Sequence, residues 1–119
     1  MKILVIEDDK ECLDSIAFAF QVYQPDAEVI PAELGNTGVE LVKKDTPDVI
    51  ILDLGLPDIS GFEVLQQIRK FSDIPIIILT ARMEEEDRTL GLQLGADDYM
   101  RKPFRPQQLL ARVKEISAG

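Results

Sequence analysis

The stretch Val49-Ile-Ile-Leu-Asp53-Leu-Gly-Leu-Pro-Asp58-Ile-Ser-Gly61 sets four apolar residues directly against an acid, then breaks into a loop of Gly, Pro, Asp and Ser. An unbroken apolar run of this length, closed by turn formers, reads as a strand buried on both faces. Such strands belong to parallel sheets with helices packed on either side. It is unusual for one to end on Asp53, because a carboxylate is costly to desolvate unless something beside it compensates.

Working outward, the same rhythm repeats along the chain. Strands are expected at Lys2–Ile6, Ala27–Ala32, Val49–Leu54, Ile76–Thr80 and, more briefly, Asp98–Arg101. Helical patterns fall between them at Lys10–Tyr23, Asn36–Lys44, Ser60–Phe71, Met83–Leu94 and Pro106–Ser117. In the third helix Phe62, Leu65, Ile68 and Phe71 recur at helical spacing and are expected to cover the sheet. Ser60 with Glu63 three positions on forms a capping-box pattern. Pro31 cannot donate to a ladder, which puts the second strand at an edge. Alternating βα units of this kind specify an α/β fold with a parallel sheet. No repeat, low-complexity tract or linker interrupts it, so residues 1–119 are expected to form one domain.

Composition narrows the function. Of 119 residues, 45% are apolar and 29% charged, a balance that builds a core. A net charge of −9 argues against binding to nucleic acid or an anionic membrane. The longest apolar runs are strand-sized, too short to span a bilayer, and the N-terminus meets acids by Glu7, too early for a secretory leader. A lone Cys12 excludes an internal disulfide and suits a reducing cytoplasm. The chain has no His, which excludes a zinc-His site, a Ser-His-Asp triad and a phosphohistidine carrier.

In open α/β sheets, ligands bind beyond the carboxyl ends of the strands. There the first strand would deliver Glu7, Asp8 and Asp9, the third Asp53, the fourth Thr80, and the fifth Lys102 before Pro103. Crowded carboxylates repel until one protonates or a cation joins them. An all-oxygen set without His or thiolate suits a hard ion such as Mg²⁺. With the ion and Lys102 beside it, Asp53 is compatible with burial and can attack phosphorus to form an acyl phosphate. Lys102 would neutralise charge on the transferring group, Thr80 would donate to one of its oxygens, and Gly55 would let its backbone carbonyl face the ion.

Taken singly, each residue has an ordinary structural reading. Asp53 could cap or solvate a loop, Asp9 could cap the first helix, and Thr80 is a common strand residue. Gly35-Asn-Thr-Gly38 is too short for a phosphate loop and reads as a turn leading into a helix. Glu84-Glu-Glu-Asp87 reads as a favourable acidic first turn. The convergence of several strand ends carries the chemical reading.

Those residues, in order, resemble the receiver domain of two-component response regulators. The resemblance runs from Ile3-Leu-Val-Ile-Glu-Asp-Asp9 through Asp53-Leu-Gly-Leu-Pro-Asp-Ile-Ser-Gly61 and Leu79-Thr-Ala81 to Gly95-Ala-Asp-Asp-Tyr99 and Lys102-Pro-Phe104. It implies a flavodoxin-like, doubly wound, five-stranded parallel sheet of order 2-1-3-4-5 with five helices. It further implies Asp53 as phosphoacceptor, with Glu7 and Asp8 as the acidic pair and Asp8 as the direct Mg²⁺ ligand. Gly55 would supply a carbonyl ligand and Lys102 the phosphate-pairing cation; Thr80 and Tyr99 would be the switch residues. The Lys102–Pro103 bond is often cis in this family, and the phosphoryl donor would be a sensor histidine kinase. The protein's own catalysis would be limited to gaining and losing the phosphoryl group.

The C-terminal half most resembles receivers of the winged-helix DNA-binding (OmpR/PhoB-like) subfamily, implying transcriptional output from a cytoplasmic protein. The chain is then either a stand-alone receiver or part of a longer regulator. That subfamily forms homodimers through the fourth helix, fifth strand and fifth helix. Arg88, Asp98 and Arg112 fit its charge pairs, whereas Gln93 and Gln108 stand where acids are usual. Gly55 replaces a usually larger residue and would leave the acyl phosphate open on one side, with Arg82 covering the other. A phosphatase using an aspartyl-phosphate would need a second Asp at position 55, and an FMN-binding flavodoxin would not place Glu7, Asp8 and Asp9 where its phosphate sits. A degenerate receiver serving only as an interaction module is the remaining alternative.

Overall fold

The computed structural model describes residues 1–82 and 84–118. Five strands and five helices alternate: β1 (Lys2–Ile6), α1 (Lys10–Tyr23), β2 (Glu28–Ala32), α2 (Gly35–Asp45), β3 (Val49–Leu52), α3 (Gly61–Arg69), β4 (Ile76–Thr80), α4 (Glu85–Gln93), β5 (Asp98–Arg101) and α5 (Pro106–Ala118). All strand pairs are parallel, in the order β2-β1-β3-β4-β5. The expected topology holds, and β2, which carries Pro31, lies at an edge. Among the described residues no helix is long and apolar enough to cross a membrane.

The central strands are apolar throughout because both faces are covered. Alternate residues of β1, β3 and β4 point to opposite sides. Ile3, Val5, Val49, Ile51, Ile77 and Leu79 pack against Ile16 and Phe20 of α1 and Leu109 and Val113 of α5. Leu4, Ile6, Ile50, Leu52, Ile76 and Ile78 pack in the second layer with Val39 and Val42 of α2 and Val64, Leu65 and Ile68 of α3. Burying each such side chain stabilises the fold by about 1.5–3 kcal/mol before chain entropy is set against it.

Several boundaries differ from expectation, each for a local reason. β3 stops at Leu52 rather than Leu54, so Asp53 opens the loop instead of ending the strand. α3 begins at Gly61, with Ser60 as N-cap accepting from Glu63 N–H at 3.2 Å, and ends at Arg69. Phe71 therefore lies past the helix and is 44% exposed, with the Lys43 ammonium 5.3 Å from its ring centroid. The inward face of α3 is instead Gly61, Val64, Leu65 and Ile68, while Phe62 is half-buried. The expected start of α4 at Met83 lies outside the described residues, and the helix runs Glu85–Gln93 with Glu85, Glu86 and Asp87 in its first turn.

Two long-range anchors were not foreseen. α2 starts at Gly35 with Leu34 at the N-cap, which offers no side-chain acceptor. The Asp58 carboxylate supplies it from the loop after β3, accepting from Gly35 N–H at 2.8 Å and Asn36 N–H at 2.9 Å. Arg69, at the end of α3, donates to the carbonyls of Gly95 (3.0 Å), Ser72 (3.1 Å) and Ile74 (2.8 Å) and to the Asp97 carboxylate (3.1 Å). One side chain thus ties α3 to the loops that lead into β4 and β5.

Candidate functional site

Register builds the site. Ile6 lies opposite Leu52, Leu52 opposite Ile78, and Thr80 opposite Arg101, so the residues that follow reach one rim. The ladder continues beyond the strands: Asp53 N–H donates to the Ile6 carbonyl at 3.0 Å, Glu7 N–H to Ala32 at 2.9 Å and Lys102 N–H to Thr80 at 2.9 Å. Glu7, Asp53 and Lys102 therefore project from backbone that is already hydrogen-bonded.

Glu7, Asp8 and Asp53 bring carboxylate oxygens within 4.8 Å of one another; Glu7 and Asp53 are buried and Asp8 is exposed. The Lys102 ammonium hydrogen-bonds Glu7 Oε1 and stands 3.8 Å from Asp53 Oδ2. The lysine expected beside Asp53 is thus bonded first to Glu7. Glu7 Oε2 accepts from Asp9 N–H at 3.1 Å, which occupies its second oxygen. Asp9 itself caps α1, accepting from Glu11 N–H.

Electrostatics follow the packing. Burial, with the like charge of Asp53, lifts the Glu7 carboxyl above its ordinary range, and Lys102 and Asp9 N–H only partly offset that. Burial works against the Lys102 charge, but the Glu7 hydrogen bond and the charges of Asp53 and Glu7 outweigh it and hold the ammonium above its usual value. Burial pushes the nearby Cys12 thiol up to about 12, so it stays protonated and inert at neutral pH.

A cleft of about 460 Å³ opens over Asp53, lined by Asp53, Gly55, Thr80, Ala81, Arg82, Glu84 and Lys102. A Cβ at Gly55 would meet only Asp53 Oδ2, at 3.9 Å, so that wall is open. Gly61 packs against the backbone that carries Asp53: a Cβ there would sit 2.4 Å from the Asp53 carbonyl oxygen and 2.6 Å from Leu54 Cα. Thr80 is buried, and its Oγ1 accepts from Arg82 N–H at 3.4 Å. Tyr99 does not line the cleft; its ring is buried behind β4 and its hydroxyl donates to the Arg82 carbonyl at 3.1 Å. The Lys102–Pro103 peptide bond is cis, as expected.

The donor set fits a hard divalent ion. Asp8 and Asp53 offer hard oxygens at one rim, while both Glu7 oxygens are already engaged, leaving Glu7 to contribute charge. Sequence reasoning found these groups because each follows a strand. It missed Asp58 and Arg69, although Leu34 at a helix start without a capping side chain was a usable signal for an acceptor from elsewhere.

Comparison with known proteins agrees with this fold. The family described as response regulator receiver domain matches residues 3–114. A structure described as a response regulator from Chloroflexus aurantiacus J-10-fl is 31% identical, covers 99% of this chain and 98% of its own, and has a TM-score of 0.92. The BeF3-activated N-terminal receiver domain of RstA from Klebsiella pneumoniae is 29% identical over 100% of both chains, with a TM-score of 0.90. The response regulator domain of CheB from Thermotoga maritima is 25% identical, covering 100% of this chain and 97% of its own, with a TM-score of 0.91.

Proposed function

This chain belongs to the response regulator receiver domain family, and from that premise we propose that it accepts a phosphoryl group on Asp53 from a sensor histidine kinase. The supporting observation is the cleft itself: a buried carboxylate, a hydroxyl and an ammonium face one space, with Asp8 and Glu7 at its edge. One Asp53 oxygen attacks phosphorus, the phosphorus–nitrogen bond of the donor imidazole breaks, and the imidazole leaves as a neutral ring after taking a proton. Lys102 neutralises charge on the phosphoryl oxygens, and Thr80 turns its hydroxyl toward one of them. Asp8, Asp53 and the Gly55 carbonyl would hold Mg²⁺, with Glu7 adding charge; when bound, the ion shields the carboxylates and the transferring group.

The output follows from linkage. A phosphoryl group adds about −1.5 to −2 charge beside Thr80, and the switch moves only by its differential interaction with the two states. As Thr80 turns, the loop that holds the Tyr99 hydroxyl shifts, and the surface of α4, β5 and α5 changes. In this reading residues 1–119 act as one cytoplasmic receiver unit and the changed surface regulates a transcriptional output. Homodimerisation through the same face is part of the proposal, supported by exposed Arg88, Leu90 and Leu92. The Asp98–Arg112 ion pair, expected between protomers, is satisfied within the chain here, which leaves that contact less charge to direct it.

Intact mass after treatment with a small phosphodonor and Mg²⁺ tests the assignment. The wild-type chain is expected to gain one phosphoryl group, Asp53→Asn none, and chelation of the metal should abolish the gain. Undiminished labelling of Asp53→Asn would refute the acceptor.

A further inference from the structure

One side chain at the cleft mouth is held by a group outside the cleft. The Arg82 guanidinium, 47% exposed, pairs with Asp87 Oδ2 at 3.8 Å, while the Arg82 backbone carbonyl accepts the Tyr99 hydroxyl. Asp87 sits in the first turn of α4, half-buried, among Glu84, Glu85 and Glu86. Arg82 therefore touches the phosphoacceptor cleft, the start of α4 and the buried aromatic of β5.

The geometry points to Asp87 as a positioning residue that competes with the Asp53 phosphoryl group for the Arg82 guanidinium. This rests on Asp53 being the acceptor. A partly exposed pair at 3.8 Å is weak, whereas a phosphoryl group carries more charge than one carboxylate and matches the guanidinium fork. On phosphorylation Arg82 swings from Asp87 to the phosphoryl oxygens. Two consequences follow together. The first turn of α4 loses the cation that balances its acids and opens. Arg82 also screens phosphorus from water on the side opposite the vacant Gly55 wall. Hydrolysis needs water to add to phosphorus as the phosphorus–oxygen bond to Asp53 breaks, returning the carboxylate and free phosphate, so a seated Arg82 slows it.

The test uses the full chain, loaded with a small phosphodonor and Mg²⁺, then freed of donor while acyl-phosphate decay is followed by intact mass. Asp87→Asn releases Arg82 toward the phosphoryl group and is expected to lengthen the lifetime about two- to fivefold, the span of an exposed ion pair. Arg82→Gln is expected to shorten it, and the double variant Arg82→Gln/Asp87→Asn should decay as Arg82→Gln alone, since Asp87 acts only through Arg82. Hydrogen exchange adds a readout without phosphorylation: Asp87→Asn should speed exchange of the α4 amides, and wild type should reach that speed once phosphorylated. An unchanged lifetime in Asp87→Asn, or a double variant that stays longer-lived than Arg82→Gln, would overturn the competition while leaving the acceptor intact. Failure of wild type to take up label on Asp53 would overturn the acceptor itself, and this inference with it.

Discussion

The two helices that follow the loops carrying Asp53 and Arg82 are of equal length and opposite character. α3 and α4 each span nine residues on the same side of the sheet. α3 buries Gly61, Val64, Leu65 and Ile68, is capped by Ser60 and is clipped at its far end by Arg69. α4 buries only Gly91, lacks a side-chain cap and leaves Leu90 and Leu92 about 40% exposed. Their glycines show the same contrast. At Gly61 a side chain would strike backbone of Asp53 and Leu54, whereas at Gly91 it would strike the tip of Ile78, 2.6 Å away, which can rotate. In the proposed reading, the helix next to the nucleophile is packed against rigid backbone, whereas the helix that reports a change is held by few contacts that can be exchanged.

Substitutions can break this contrast or sharpen it. The largest effect is expected at Ile68, fully buried, where Ile68→Ala should cost about 2–5 kcal/mol in a urea melt. Gly61→Ala should cost about 1–3 kcal/mol by overpacking and also lower phosphoryl uptake, because the backbone carrying Asp53 must move. Gly91→Ala should change stability by less than about 1 kcal/mol, since the Ile78 tip gives way and alanine favours the helix. A loss at Gly91 matching that at Gly61 would show that α4 is packed as firmly as α3.

A smaller effect is expected at Asp58, whose helix cap is worth about 1 kcal/mol. Hydrogen bonds from the Asn36 and Gly35 N–H groups outweigh a slight burial and hold its carboxyl below the usual carboxylate value. Its contribution is therefore present above the unfolded carboxylate pKa and fades as pH falls through the depressed folded value. The stability gap between wild type and Asp58→Ala should be full at neutral pH and narrow under acid; a gap that widens on acidification would reverse the sign. The smallest change is expected for Leu92→Ala, within about 0.5 kcal/mol, as for other surface positions.

Much of the site was legible because its groups sit at strand ends, and strand ends can be read from apolar periodicity. Glu7, Asp8, Asp53, Thr80 and Lys102 all reach the expected rim. Phe71 misled because helical spacing alone does not say where a helix stops; α3 ends at Arg69, whose guanidinium is taken up by carbonyls beyond the helix. Arg82 was visible as a large side chain near Asp53, but its partner Asp87 read only as a favourable first-turn acid.

By itself the sequence determined which segments are buried on both faces, hence a parallel sheet, and which chemical groups follow each strand. Those are local properties, set by side-chain period and turn chemistry within a few residues. Only the tertiary structure decided the pairings: Lys102 with Glu7 across 95 positions, Asp58 on the start of α2 across 23, and Tyr99 beneath Arg82 across 17. Such contacts depend on strand register and helix seating, where a shift of one residue sends a side chain to the opposite face.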